Sequence, residues 1–369
     1  MMKVALIAND TTYTYNLRKE IICKLIEEGY EVSVLGETQL FHEELEEMGC
    51  DVLDVSVGRH GTNPLKDLQL LHKYVRFLKS IRPDAVISYN IKPNVYGGMA
   101  CKYLKIPFLP NITGLGTPVE NPGKLQKLAI LLYKAGVSNA ACIFFQNEEN
   151  YNFFNKHGMI SKRSRTNIIP GSGVNLETHP LLPYPDETAI HFLFVARILK
   201  EKGIDFYLAA ARKYHSATVR FHVCGMCDDE KYLAILNDAQ RDGVIVYHGQ
   251  QKDMSPYFLQ CACLLHPSYY PEGMSNVLLE AAASGRPIIA ADRAGCREIV
   301  DSGETGFIVP IKNEQAVIDA VGSFLDMPWK ERKAMGIAGR KKIEREFDRN
   351  IVVNEYLKEI QLAISKDNC

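Results

Sequence analysis

The chain has 369 residues, 46% of them hydrophobic and 24% charged, with a formal net charge of -1. That length and composition predict two soluble domains, each able to bury its own core. The near-neutral total argues against nucleic acid as a partner, no apolar run approaches the ~20 residues that span a bilayer, and the short apolar run at 4–8 is no signal-peptide core.

Taken in chain order, residues 3–8 form a near-continuous apolar run, as expected of a strand buried on both faces. Asn9–Asn16 reads as a loop, overlapping a helical period from about Tyr15 that Gly29 stops. A strand at 31–35, a helix at 38–48 and a strand at 51–55 follow. Over 64–81 a helix is predicted, with Pro64 in its first turn and Leu68, Leu71, Val75 and Leu78 on one face. Strands at 85–89, 107–111 and 141–145 come next, with helical stretches between them. The run Pro170-Gly171-Ser172-Gly173, then Pro180, Pro183 and Pro185, reads as an interdomain connection. The alternation restarts with strands at 191–196, 219–224, 244–247, 263–266 and 287–290. Helices at 313–326, 328–346 and 350–365 close the chain. This alternation predicts an α/β protein of two Rossmann-like, doubly wound domains facing across a cleft. The expected division is 1–170, 171–349 and a final helix, 350–369.

Charge is unevenly spread. Residues 1–54 hold four Lys/Arg against twelve Asp/Glu, whereas residues 55–170 hold sixteen against five. The basic stretch suits an anionic partner such as a phospholipid surface or a lipid diphosphate; scattered solvated lysines are the plainer alternative. Lys124, Lys127 and Lys134, interleaved with Leu125, Leu128, Leu131 and Leu132, read as an interfacial helix. The ten cysteines mostly sit singly in apolar segments, as reduced core thiols of a cytoplasmic protein do. Cys224 and Cys227 form one CxxC without a second ligand pair, so no metal site is expected.

The chemistry should lie in loops after strands. Strand 191–196 ends in Arg197-Ile198-Leu199-Lys200-Glu201-Lys202-Gly203. Arg197 offers a rigid fork and Lys202 a mobile point charge for a diphosphate, though a solvated basic loop would look the same. The second element is Glu272-Gly273-Met274-Ser275-Asn276-Val277-Leu278-Leu279-Glu280. Gly273, Ser275 and Asn276 suit a helix start whose free amides favour phosphate. Glu280 sits among Leu278, Leu279 and Ala281–Ala283, where a carboxylate needs partners such as ribose hydroxyls. Glu272, in the loop, suits hydroxyls of a transferred sugar. The alternative is a helix-start glutamate plus a salt-bridged one.

Arg197, Lys202, Glu272 and Glu280 together resemble the basic pair and EX7E motif of family-4 retaining glycosyltransferases. Residues 285–290, Gly295, 298–300 and 306–309 fit the same resemblance, which is dense after residue 190 and loose before it. It implies the GT-B fold, a last helix crossing back to the first domain, and a UDP-sugar donor with no cofactor or metal required. The base would lie near Gly225 and the turn at 250–252, including Gln251, with Met274 in the donor motif. The pattern is most similar to bacterial enzymes that extend polyprenyl-diphosphate saccharides, adding N-acetylgalactosamine or a related hexose. The acceptor is expected near Tyr15 and Arg18 and at Asn111-Ile112-Thr113-Gly114-Leu115-Gly116-Thr117, where Gly114 and Gly116 permit close backbone approach. The histidine that many members carry near this loop is not there. The resemblance implies a cytoplasmic enzyme, peripheral on the inner face of the plasma membrane. An epimerase or phosphorylase on the same fold, or a non-catalytic assembly partner, are the alternatives. A nicotinamide dehydrogenase is disfavoured, because the first strand leads into Ala8-Asn9-Asp10-Thr11-Thr12 without a GxGxxG.

Overall fold

The computed structural model describes the chain except residues 57–62, 117–118, 120–121 and 368–369; Thr117 and the end of the predicted last helix lie outside the described residues. The chain forms two compact units. The first comprises Met1–Ser172, Glu272–Met274 and Arg349–Cys369, and the second Gly173–Pro271 and Ser275–Asp348.

The first unit holds a seven-stranded sheet of β1 (Lys3–Asp10), β2 (Glu31–Glu37), β3 (Asp51–Asp54), β4 (Ala85–Tyr89), β5 (Phe108–Ile112), β6 (Cys142–Phe145) and β7 (Arg165–Ile168). Its order is β3-β2-β1-β4-β5-β6-β7, and every pairing is parallel. Alternate β1 residues face opposite layers: Val4 and Leu6 in one core, Ala5 and Ile7 in the other. That double burial is why these strands read as continuous apolar runs.

Two expectations need correction. β1 runs straight into α1 (Thr11–Glu27), so Asn9–Asn16 is no loop. The Asp10 carboxylate accepts from the Tyr13 amide at 2.8 Å and caps the helix. The helix at 64–81 is present as α3 (Pro64–Ile81), but its buried stripe is Asp67, Leu70, Tyr74 and Leu78. Leu68 is 63% exposed and Leu71 and Val75 only flank the core. The stripe turns because Tyr74 is fully buried in the core that also holds Val86 and Phe108, a packing choice that aliphatic periodicity does not encode.

α2 (His42–Glu47) is shorter than expected. α4 (Gly98–Leu104), α5 (Lys124–Val137) and α6 (Glu148–Lys156) pack with α3 on one face of the sheet. Glycine sets the spacing of α4 and α5: a Cβ on Gly98 would fall 2.1 Å from the Gly136 carbonyl oxygen. On the other face lie α1 and α13 (Arg349–Asp367). Val352, Tyr356 and Ile360 share a core with Ile21, Ile22 and Leu25, and a buried side chain of this size contributes about 1.5–3 kcal/mol. Arg349 fixes the start of α13 by pairing with Glu20 at 2.8 Å and donating to the Ser172 carbonyl at 3.2 Å.

The second unit holds β8 (Ile190–Val195), β9 (Val219–Cys224), β10 (Val246–Tyr247), β11 (Cys263–His266), β12 (Ile288–Ala291) and β13 (Gly306–Val309), in the order β10-β9-β8-β11-β12-β13. All pairings are parallel. Helices α7 (Ile204–Tyr214), α8 (Glu230–Arg241), α9 (Ser255–Gln260), α10 (Asn276–Ala283), α11 (Glu314–Asp326) and α12 (Trp329–Glu346) alternate with the strands or follow them. Asp229 caps α8 through its carboxylate, in keeping with Asp228–Asp229 as a helix start. Among the described residues no helix is long and apolar enough to cross a membrane.

Candidate active site

In the second unit, the loop after β8 carries both predicted cations. Arg197 is exposed, and the loop is tied down next to it by the Ile198 amide donating to Met226 at 2.9 Å. Lys202 ends a short 3-10 turn and is 8% exposed. Gly203 follows with φ 80°; a Cβ there would lie 2.3 Å from the Pro267 carbonyl, so the loops after β8 and β11 press together. Lys202 Nζ lies 4.8 Å above the Tyr270 ring. Burial, with Arg197 adding to it and Cys296 opposing, lowers its pKa to about 8. A strongly desolvated ammonium held at a strand end is a strong anion binder, because water competes poorly for it.

Beneath it lies a residue that sequence reading missed. His266 ends β11, is 1% exposed, and neither ring nitrogen has a hydrogen-bond partner. Burial first, then the charge of Lys202, drives its pKa down to about 3, so it stays neutral. A lone histidine in an apolar strand carries no signal by which to find it.

Gly225 follows β9 with φ 153°, and a Cβ there would fall 1.8 Å from the Ala196 carbonyl. Its amide donates to Gly249 at 2.8 Å and its carbonyl accepts from Tyr247 Oη at 3.0 Å. Gln251 Nε2 donates to the His248 carbonyl at 2.6 Å. Gly225 and the turn after β10 are thus one hydrogen-bonded group. Behind it runs a row of imidazoles: His191 Nδ1 to His222 Nε2 is 2.8 Å, and His222 Nδ1 to His248 Nε2 is 3.0 Å.

Ser275 stands at the N-cap of α10, with no side-chain cap bond; its amide donates to Gly295 at 2.9 Å. The serine hydroxyl thus caps no first-turn amide; the Leu278 amide donates to the Ser275 carbonyl at 3.2 Å, which leaves the Asn276 and Val277 amides as those suited to an anion. Glu280 is half-buried while Leu278, Leu279 and Ala281–Ala283 around it are buried.

In the first unit, the Gly273 amide donates to the Thr113 carbonyl at 3.1 Å. Asn147 Nδ2 donates to the Gly273 carbonyl at 2.5 Å and to Glu272 at 3.3 Å. Glu272 is half-buried, and Met274 is buried against Gly171. Asn147 also caps α6, so one side chain fixes both the helix and the motif. Thr113, Gly114 and Gly116 follow β5, with φ of 133° and 71° at the two glycines. Arg18 is buried, its guanidinium 4.1 Å over the Tyr89 ring. Tyr15 instead stacks on Phe41 at 4.8 Å. The structure therefore joins Thr113 to the Gly273 segment and Arg18 to the end of β4, and sets Tyr15 against Phe41. Cys224 and Cys227 are free thiols, and no cluster of three metal-ligating side chains occurs among the described residues.

Comparison with known proteins gives the class, a glycosyltransferase. Residues 3–147 match the family described as Glycosyl transferase 4-like, and residues 189–327 match Glycosyl transferases group 1. The chain belongs to this glycosyltransferase family. It is 26% identical over 376 residues to the N,N'-diacetylbacillosaminyl-diphospho-undecaprenol alpha-1,3-N-acetylgalactosaminyltransferase of Campylobacter jejuni, covering 97% of this chain and 98% of that one. Among solved structures, sucrose-phosphate synthase from Thermosynechococcus elongatus superposes with a TM-score of 0.81 at 18% identity, over 99% of this chain and 100% of that one. HepE from Anabaena, in complex with UDP and glucose, gives 0.79 at 17%, over 98% and 100%. The two parallel-sheet domains are thus those of the GT-B glycosyltransferases.

Proposed function

We propose that the enzyme moves a hexose or N-acetylhexosamine, best N-acetylgalactosamine or N-acetylglucosamine, from a UDP-sugar to a polyprenyl-diphosphate saccharide, with retention, in bacterial surface-glycan assembly. The observation that carries the donor half is the buried Lys202 on a loop pinned by Gly203, with exposed Arg197 on the same loop. The name of the Campylobacter relative supports the acceptor class, and the HepE complex supports UDP. In this reading Arg197 and Lys202 hold the diphosphate, Glu280 accepts from the ribose hydroxyls, and Gly225 with Gln251 shapes the base turn. Glu272 accepts from hydroxyls of the transferred sugar. No metal or cofactor is required.

The bond from the anomeric carbon to the diphosphate oxygen breaks as the acceptor oxygen attacks from the same face, and the acceptor proton passes to the leaving diphosphate. The chain contributes positioning and charge stabilisation. The basic surface of residues 55–170 lies on the cytoplasmic face of the plasma membrane in this reading.

The test is a screen of UDP-N-acetylgalactosamine, UDP-N-acetylglucosamine, UDP-galactose and UDP-glucose, each with a polyprenyl-diphosphate sugar. One donor is expected to give a lengthened lipid-linked product whose anomeric proton coupling shows retention. Inverted product overturns the mechanism, and sugar turnover without acceptor overturns the transfer.

A further inference from the structure

The first unit contains a cavity that the donor chemistry does not use. It has a volume of about 120 Å³ and is lined almost wholly by carbon, including Ile91, Val95, Leu115, Leu128, Ala129 and Leu132. Ile91 is the second residue after β4 and Leu115 the third after β5. The cavity therefore adjoins the strand ends that carry Thr113 and Gly114. Lys92 and Asp67 also line it and pair with each other at 3.0 Å.

The wall formed by α5 also carries exposed leucines, two of which, Leu125 and Leu128, line the cavity. Tyr133, Gly136 and Val137 are buried, and Leu132 packs on the core, yet Leu125, Leu128 and Leu131 are 51%, 43% and 64% exposed. They recur at three-residue spacing, with Lys124, Lys127 and Lys134 between or beside them. A water-facing helix does not gain from three exposed leucines in a row, whereas an apolar chain with an anionic head would match both the leucines and the lysines.

We propose that this cavity is a subsite for the isoprenoid chain of the acceptor, seating the isoprene unit nearest the diphosphate. The proposal rests on the lipid-linked acceptor of the preceding reading and adds a place and a selectivity to it. The size fits: a cavity of ~150 Å³ takes a benzene ring, and an isoprene unit has five carbons. The diphosphate then stands toward Lys124 and Lys127, with the saccharide toward Thr113. The enzyme reads the branched chain itself, beyond any general attraction to a lipid surface.

The test compares acceptors with identical diphosphate and sugar but either an isoprenoid tail or a short linear alkyl tail, in the presence of the preferred donor. Ala129→Phe fills the cavity, and Ile91→Trp, at a half-exposed rim position, narrows it without touching the deep core. Wild type is expected to show a KM for the isoprenoid acceptor at least tenfold below that for the alkyl one. Each variant should erase that difference while leaving donor KM unchanged. Equal KM values in wild type, or a preference intact in the folded variants, overturns the subsite. A parallel measurement displaces a fluorescent isoprenyl monophosphate from the protein without donor. Its binding to wild type and loss in Ile91→Trp sustains the subsite even where no sugar transfer is found, a result that would defeat the acceptor assignment alone. Absence of binding to wild type overturns the subsite whatever the transfer assay gives.

Discussion

The Gly273 amide donates to the Thr113 carbonyl across 3.1 Å, so the residue after Glu272 is held by the loop that follows β5. A Cβ at Gly273 would fall 2.2 Å from Gln146 Oε1 and 2.7 Å from the Thr113 carbonyl oxygen. Gln146 can swing aside, but the backbone carbonyl must move. Gly273→Ala is therefore expected to displace Glu272 and lower kcat at least tenfold, with a loss of fold stability near 1–3 kcal/mol. Steady-state kinetics beside chemical denaturation checks this. Full activity would show that the contact does not position Glu272.

Lys202 gives a pH signature. Its pKa in the fold is about 8, below the ordinary 10.5, because burial disfavours the ammonium. Between those values the unfolded chain is charged and the fold neutral, so stability of the ligand-free protein rises with pH through that window. Donor affinity runs the other way, since the diphosphate loses a charged partner. Donor Kd, measured by calorimetry, is expected to weaken about tenfold or more from pH 7 to 9.5. Lys202→Met should bind weakly and show a flat profile over that range.

The imidazole row makes the second unit sensitive to acid. Burial, reinforced by His191 and His248, lowers His222 to about 4. His191 and His248 are also lowered, and His266 sits at about 3. Their neutral forms are the folded ones, so stability is present above about 6.5 and is lost as pH falls toward 4. For His222 alone that amounts to about 3 kcal/mol. Tm should drop through this window, and His222→Gln should make the drop shallower. An unchanged slope would mean that the row is not what titrates.

Arg349 and Glu20 join α13 to α1 with both side chains largely buried. Removing one partner strands the other, at a cost of about 3–5 kcal/mol for a fully buried pair. Arg349→Ala should lower the unfolding free energy obtained from urea titration by up to that range, and Arg349→Ala with Glu20→Gln should recover part of the loss.

Electrostatic attachment predicts binding to anionic vesicles that weakens from 50 to 300 mM salt, as exposed charges are screened. Co-sedimentation with neutral and with anionic vesicles checks it, and equal partitioning to both would remove the electrostatic contribution.

Much of the architecture was legible because strands buried on both faces write themselves as apolar runs, and β1, β4, β6, β8 and β11 all do so. β7 escaped because it is an edge strand with alternating exposure, Arg165 to Ile168, and too few apolar residues to stand out. The start of α1 escaped because Asp10 caps it through a side chain, while Thr11 and Thr12 look like turn residues. In the site, charged residues after strands could be found by position alone. Asn147, His266 and the contact of Gly273 with Thr113 could not, since each depends on residues brought together from distant parts of the chain.

The first unit draws on three separate stretches of sequence, the last of them α13. During synthesis the sheet of that unit is complete by residue 168, yet the face that receives Val352, Tyr356 and Ile360 stays uncovered until Arg349–Asp367 has left the ribosome. The whole second unit is made in the interval. The first-made part is thus the last to be finished, and a chain cut after Ser172 would leave an oily surface open to chaperones and to aggregation.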